Sequence, residues 1–185
     1  LAEGVAPVVD QLTSDGSIAP TIVVFATYYP DRSFATDDYE DDYALNRFFA
    51  TTEIDTLIKA VESRYTTYAR GDTSDESLRA SRRHRAFGGF SMGATTTWDV
   101  FALRPQYFYG YMPMAGESWI GREDEADSPR IAELVTAGVE RTQYGPQDFR
   151  ILASVGSEDP ALWDMTPQID ELREDYPDLM TEDSL

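Results

Sequence analysis

The sequence predicts an α/β fold built on an open, mostly parallel sheet. Three observations predict it. Apolar stretches alternate along the chain between β-branched, strand-like runs and runs with helical spacing. Thr21-Ile22-Val23-Val24-Phe25-Ala26 is apolar at nearly every position, which suits a strand buried on both faces of a parallel sheet. Gly89-Phe90-Ser91-Met92-Gly93 has the form G-x-S-x-G and lies between a strand-like run, Arg85 to Phe90, and a helix-like run, Ala94 to Leu103.

The elements follow in order. Val5 to Leu12 reads as the end of a helix that Asp15-Gly16 stops. The chain is expected to begin partway through this helix. It has no initiator Met, and Leu1-Ala2-Glu3-Gly4 lacks the basic start and apolar stretch of a signal peptide. Tyr28-Tyr29-Pro30-Asp31 leaves the first strand. The acidic stretch Asp37 to Asp42 opens a helical region reaching roughly Tyr68, with Ile54, Leu57, Ile58 and Val61 as an i, i+3, i+4, i+7 stripe. Gly71 to Ser81 reads as a polar loop. Arg85 to Phe90 is the second strand, and Met92 to Leu103 is a helix that Arg104-Pro105 ends. Tyr107 to Met114 is the third strand. Ser128-Pro129 is an N-cap and N1 pair for a helix to about Tyr144. Phe149 to Val155 is the fourth strand. Thr166-Pro167 starts a last helix, and Tyr176-Pro177 ends it. This order places helices on both faces of one sheet, and ligands in such sheets bind beyond the carboxyl ends of the strands. At 185 residues, positions 1–185 are expected to form a single domain.

Composition narrows the function. A net charge of −19 argues against nucleic acid, whose phosphates would be repelled, and disfavours anionic membranes. No apolar run approaches the roughly 20 residues of a membrane span. With no cysteine, disulfides, thiolate-zinc sites and a cysteine nucleophile are excluded. Asp37 to Asp42 lacks the D-x-D-x-D-G pattern of a calcium loop and reads as a solvated helix start.

The strand before Ser91 and the helix after it make the pattern a nucleophile elbow, in which a sharp turn presents the serine hydroxyl above the sheet. A side chain at either flanking glycine is expected to crowd the turn. The bland alternative is a plain Gly-Ser turn. A serine nucleophile needs a base, and the base an orienting acid. Val155-Gly156-Ser157-Glu158-Asp159 ends the fourth strand at the same edge of the sheet, so Asp159 is the expected acid and Glu158 the fallback. The alternative is an ordinary loop of an acidic protein. The only histidine, His84, precedes the strand that ends at Ser91. About 3.3 Å of strand per residue puts it roughly 20 Å from Ser91, at the wrong edge. With Arg79, Arg82, Arg83 and Arg85 it is expected to form a solvated basic patch. The N–H of Met92 is an expected oxyanion donor, helped by the dipole of the helix it starts.

Arg85-Ala86-Phe87-Gly88-Gly89-Phe90-Ser91-Met92-Gly93, followed by Tyr111-Met112-Pro113-Met114-Ala115-Gly116-Glu117-Ser118-Trp119, resembles the feruloyl and acetylxylan esterases of carbohydrate esterase family 1, which are related to esterase D. Gly156-Ser157-Glu158-Asp159 resembles the family's acid loop, and Thr166-Pro167-Gln168 the helix start after it. The resemblance runs from about Thr21 to Leu179. It implies the three-layer sandwich of an α/β-hydrolase, truncated here at both ends, with Ser91 as nucleophile and Asp159 as acid. It implies a serine carboxylic-ester hydrolase that removes feruloyl or acetyl groups from plant cell-wall xylan. Such an enzyme is secreted, takes an acylated polysaccharide or oligosaccharide, needs no cofactor or metal, and belongs to a larger multidomain glycan-degrading enzyme. Tyr28, Tyr29, Trp119 and Glu117 are then expected around the acyl or sugar group, the alternative being that the aromatics are core or rim. Trp98 reads as core. The family's histidine and upstream oxyanion loop have no matching positions, so these 185 residues alone are expected to be inactive. An esterase D-like hydrolase of another small acyl ester and a non-catalytic binding domain of the same fold remain as alternatives.

Overall fold

In the computed structural model, which describes residues 2–27, 29 and 42–185, the chain divides into two units, Leu1–Ala35 and Thr36–Leu185. The first unit contains helix α1, Ala2–Ser14. It stops as expected at Gly16, whose φ of 79° only glycine adopts without strain. The strand expected over Thr21 to Ala26 does not form: the run pairs with no other strand among the described residues. Ile22 to Phe25 are 43–49% exposed. A β-branched run gains its stability from neighbouring strands and burial rather than from the backbone itself, so pattern alone does not make it a strand.

The second unit begins with a helical stretch of α2 (Asp42–Phe48), a π-helical turn (Phe49–Glu53) and α3 (Ile54–Arg64). The predicted stripe faces inward, with Ile54 and Ile58 buried. The stretch stops at the extended Tyr65, short of Tyr68. Of the acidic residues expected to open it, Asp42 is the first residue of α2, and those before it lie outside the described residues. The polar loop expected over Gly71 to Ser81 contains helix α4, Asp75–Ala80. Ser74 caps it by accepting from the Ser77 N–H, two acids occupy the first turn, and Leu78 anchors it in the core.

Among the described residues three parallel strands form one sheet in the order β1-β2-β3: Ala86–Phe90, Gly110–Met114 and Arg150–Ile151. Both later strands are shorter than expected. Residues 107–109 turn, with the N–H groups of Tyr109 and Gly110 both donating to Arg85 O. Pro113 has no N–H to return to β3, so the ladder thins there to a single bridge, Met114 to Ser154.

Helix α5, Met92–Leu103, covers one face of the sheet. Phe101 meets the ring edges of Tyr111 and Phe149 at 4.9 and 5.1 Å. Helix α6, Ser128–Thr142, crosses α5 so closely that a Cβ on Gly138 would lie 1.7 Å from Ala102 O. Its N-cap is Asp127, one residue before the expected Ser128, because the Asp127 carboxylate accepts from the Arg130 N–H. Helix α7, Leu162–Asp175, packs on α6 and starts four residues earlier than Thr166-Pro167 suggested. The turn before it is held by Asp159 Oδ1, which accepts from the Ala161 N–H at 2.9 Å. On the opposite face of the sheet, Phe90 and Leu152 are 65% and 69% exposed, with Met112 and Met114 beside them.

The basic cluster before β1 is the solvated patch expected only in part: Arg79, Arg83 and His84 are exposed, but Arg82 and Arg85 are not. Arg82 is buried and donates to the carbonyls of Pro105, Phe108 and Asp148. Arg85 pairs with Glu62 at 2.7 Å. These guanidiniums fasten the loops at the amino ends of the strands, leaving the carboxyl ends for chemistry.

Candidate active site

Ser91 stands at the carboxyl end of β1, exposed, with φ 57° and ψ −120°. A non-glycine residue in that region is strained, and such strain concentrates at functional sites. Two hydrogen bonds impose the conformation: the Ser91 N–H donates to Met114 O at 2.9 Å, and Ser91 O accepts from the Ala94 N–H at 2.8 Å. The chain thus leaves the sheet and enters α5 within one residue. The side chain makes no capping bond, so the hydroxyl is not spent on the helix. Gly89 is required as expected, since a Cβ there would lie 2.6 Å from the Gly93 backbone. Gly93 is not: a Cβ on it would meet nothing within 4 Å. The crowding runs from Gly89 onto the Gly93 main chain, not the reverse.

Met92 is the first residue of α5, so its N–H has no acceptor within the helix, and it sits at the positive end of the helix dipole. Across β2, the segment after β3 delivers Asp159 to the same carboxyl edge; the acid is half-buried, and Glu158 beside it is exposed. Two strand spacings separate the ends of β1 and β3, roughly 10 Å laterally. A base joining Ser91 to Asp159 would therefore sit over the end of β2. His84 is not there: it stacks on Tyr68 at 3.4 Å, just ahead of the amino end of β1.

The loop after β2 carries the next residues. Ala115 adopts φ 53°, and Gly116 presses against the elbow, where a Cβ would lie 2.8 Å from Ser91 O. Trp98 is buried as expected and donates its indole N–H to Gly116 O at 3.0 Å. Glu117 is ion-paired with Arg122. Trp119 packs on Tyr43 at 5.0 Å with the rings tilted by 59°. Tyr28 lies outside the described residues. Tyr29, in the first unit, is half-buried and donates its backbone N–H to Thr27 Oγ1.

Sequence reasoning missed the buried network beneath this loop. Asp99 on α5 accepts from Asn46 Nδ2 at 2.6 Å and from Ser118 Oγ at 3.1 Å, and Asn46 Oδ1 accepts from Thr96 Oγ1. Burial pushes the Asp99 carboxyl up to about 7, against the opposing pull of the Ser118 hydroxyl, the Arg47 charge and the Asn46 amide. A lone carboxylate in the otherwise uncharged run from Thr95 to Leu103 was the available signal. Gln168 was also missed as a contact. Its Oε1 accepts from the Ser118 N–H at 2.7 Å, tying α7 to the same loop.

No known family profile matches the chain. Comparison with individual proteins does find relatives. A feruloyl esterase module from Clostridium thermocellum, solved as a serine-to-alanine mutant complexed with sinapinate, is 31% identical with a TM-score of 0.73 over 90% of this chain and 53% of that one. A solved structure of FAE is 32% identical with a TM-score of 0.69 over 88% of this chain and 52% of that one. Endo-1,4-beta-xylanase Y of Acetivibrio thermocellus is 32% identical over 166 residues, 90% of this chain and 14% of the xylanase. The chain thus spans about half the length of the solved relatives and a small part of the curated one. The resemblance expected from the sequence is borne out: over nine-tenths of its length this chain is similar, in sequence and in fold, to the feruloyl esterase module of Clostridium thermocellum.

Proposed function

We propose that these residues carry the nucleophile half of a serine carboxylic-ester hydrolase that removes feruloyl or acetyl groups from xylan. The observation that carries the reading is Ser91 held at φ 57° on a one-residue strand-to-helix turn, its hydroxyl exposed and unused by the helix. Ser91 Oγ attacks the ester carbonyl as a base takes its proton. The oxyanion forms against the Met92 N–H and the positive end of α5. The tetrahedral intermediate collapses to an acyl-serine and releases the sugar alcohol, and water then frees the acid. Asp159 orients the base. His84, at the amino end of β1, cannot serve as that base, so catalysis needs one beyond those these residues place near Ser91. Glu117 and Trp119 flank the substrate.

The exposed apolar face of Phe90, Met112, Met114 and Leu152 supports the three-layer sandwich, since parallel sheets are covered on both faces. The similarity across nine-tenths of the chain and about half of the solved module supports positions 1–185 as part of one catalytic domain, and the xylanase relative supports a place in a larger, secreted glycan-degrading enzyme. Among the described residues no helix is long and apolar enough to cross a membrane. The alternative reading is a non-catalytic binding domain of the same fold that keeps the elbow.

The test is release of ferulate from methyl ferulate and of acetate from acetylated xylan by the whole protein and its Ser91→Ala variant. Hydrolysis that disappears with Ser91 is expected. Hydrolysis that survives the substitution sinks the esterase reading, and xylan binding without hydrolysis favours the second. The 185 residues alone are expected to hydrolyse p-nitrophenyl acetate no faster than their Ser91→Ala form.

A further inference from the structure

Asp99 on α5 is buried, and its two carboxyl oxygens serve different elements. Oδ2 accepts from Asn46 Nδ2 of α2 at 2.6 Å, and Oδ1 from Ser118 Oγ of the loop after β2 at 3.1 Å. Each partner stands next to one ring of the same aromatic pair. Tyr43 precedes Asn46 by about one helical turn, so both lie on one side of α2. Trp119 follows Ser118 directly, and its ring meets that of Tyr43 at 5.0 Å. Ser118 is itself fully buried and uses its other groups as well. Its N–H donates to Gln168 Oε1 of α7 at 2.7 Å, and its Oγ accepts from the Ile120 N–H at 3.2 Å. The backbone on both sides of Trp119 is thus fixed through one serine, and that serine is fixed by Asp99.

We propose that Asp99 is a positioning residue for ester cleavage: by joining α2 to the loop after β2 it sets the Tyr43–Trp119 pair, and with it the hold on the substrate beside Ser91. The proposal rests on the esterase reading, which puts Trp119 against the substrate. Asp99 touches no substrate and acts through Ser118 and Asn46. Ring packing alone does not fix such a pair, since aromatic contacts tolerate a range of offsets and tilts with centroids roughly 4.5–7 Å apart. Hydrogen bonds are directional, and a buried one is costly to break, so the two bonds of Asp99 select one arrangement. Stability alone does not call for a carboxyl here. Taking it out of water is unfavourable, which is why burial raises its pKa to about 7 against the pull of Ser118, Arg47 and Asn46. Well-packed apolar side chains in place of buried charged groups are often no less stable. What the carboxyl adds is two acceptors on one rigid group, aimed at two elements that are distant in the chain.

The whole protein is assayed on whichever of methyl ferulate and acetylated xylan it hydrolyses. Asp99→Ala should raise KM roughly 3- to 10-fold while kcat stays within about 2-fold. Asp99→Asn still accepts from Asn46 and donates to Ser118 Oγ, and should return KM to within about 2-fold of the original. Ser118→Ala removes the same bridge from its other end and keeps the N–H for Gln168. It should match Asp99→Ala, and it carries the test if that variant fails to fold. The ring itself is followed by fluorine NMR of the protein labelled with 5-fluorotryptophan, the Trp119 signal being the one lost in Trp119→Phe. That signal should shift in Asp99→Ala and return in Asp99→Asn, with the signal of the exposed Trp163 unmoved. Hydrolysis absent from the unsubstituted protein is a failure of the esterase reading, and the Trp119 signal then still decides whether Asp99 sets the ring. An unchanged KM in both alanine variants, a loss confined to kcat, or a Trp119 signal indifferent to Asp99→Ala overturns the proposal while Ser91-dependent hydrolysis stands.

Discussion

Replacing Ser91 by glycine should make the protein more stable while removing its nucleophile. Ser91 holds φ 57° and ψ −120°, and its hydroxyl makes no capping bond to α5. The side chain therefore contributes strain to the fold and nothing that offsets it. Strain of this kind costs on the order of 1–3 kcal/mol. Glycine relieves it but gives the unfolded chain more freedom, which takes back about 0.5–1 kcal/mol. The net gain is about 1 kcal/mol, or roughly 2–4 °C in Tm for a domain of this size. Alanine is the control: it removes the hydroxyl but keeps the Cβ and hence the strain. Urea unfolding of Ser91→Gly and Ser91→Ala, followed by circular dichroism, isolates the backbone term. Glycine should raise the midpoint above that of alanine, with both variants inactive in the whole protein. A glycine variant no more stable than the alanine one would refute the view that the elbow is strained, and with it the strongest structural argument for a nucleophile.

Two further outcomes follow from packing and burial. Gly138→Ala would place a methyl 1.7 Å from Ala102 O, so α5 and α6 must separate; a loss of about 3 kcal/mol or more in chemical denaturation is expected, beyond ordinary surface changes. Asp99 gives a pH dependence. Its folded-state carboxyl titrates near 7 against an unfolded value of 3.8. Between those values the folded protein holds a proton that the unfolded chain has released, so stability falls as pH rises, by about 1.4 kcal/mol per unit from this group. Asp99→Asn removes that slope, and an asparagine can still accept from Asn46 and donate to Ser118 Oγ. Its stability relative to the original protein should rise from pH 4 to 7 and level off above; a flat difference would show that Asp99 is ionised throughout.

The elbow was legible because it is local. Gly89, Ser91 and the helix start at Met92 act within five residues, and short-range sterics decide their geometry. Helix α5 matched its expected bounds, since Arg104-Pro105 ends it chemically. The placement of Asp159 was legible too, because a parallel sheet puts every strand's carboxyl end on one edge. Where the reading failed, the deciding partner was distant in sequence. Thr21 to Ala26 has a strand's composition but no strand beside it among the described residues. Arg82 looked solvated until three carbonyls from 105 to 148 closed around it.

The sequence by itself determined the alternating α/β order, the turn that exposes Ser91, and the exclusion of His84 by the length of the strand between them. Only the tertiary structure decided that Gly89 rather than Gly93 is the steric requirement of that turn. It alone buried Asp99 among Asn46, Thr96 and Ser118, and it alone tied Gln168 of α7 to the Ser118 N–H. The division has one physical cause. Backbone sterics act between neighbours and can be read along the chain, whereas burial and hydrogen-bond satisfaction depend on groups up to 66 residues apart, which only the folded chain brings together.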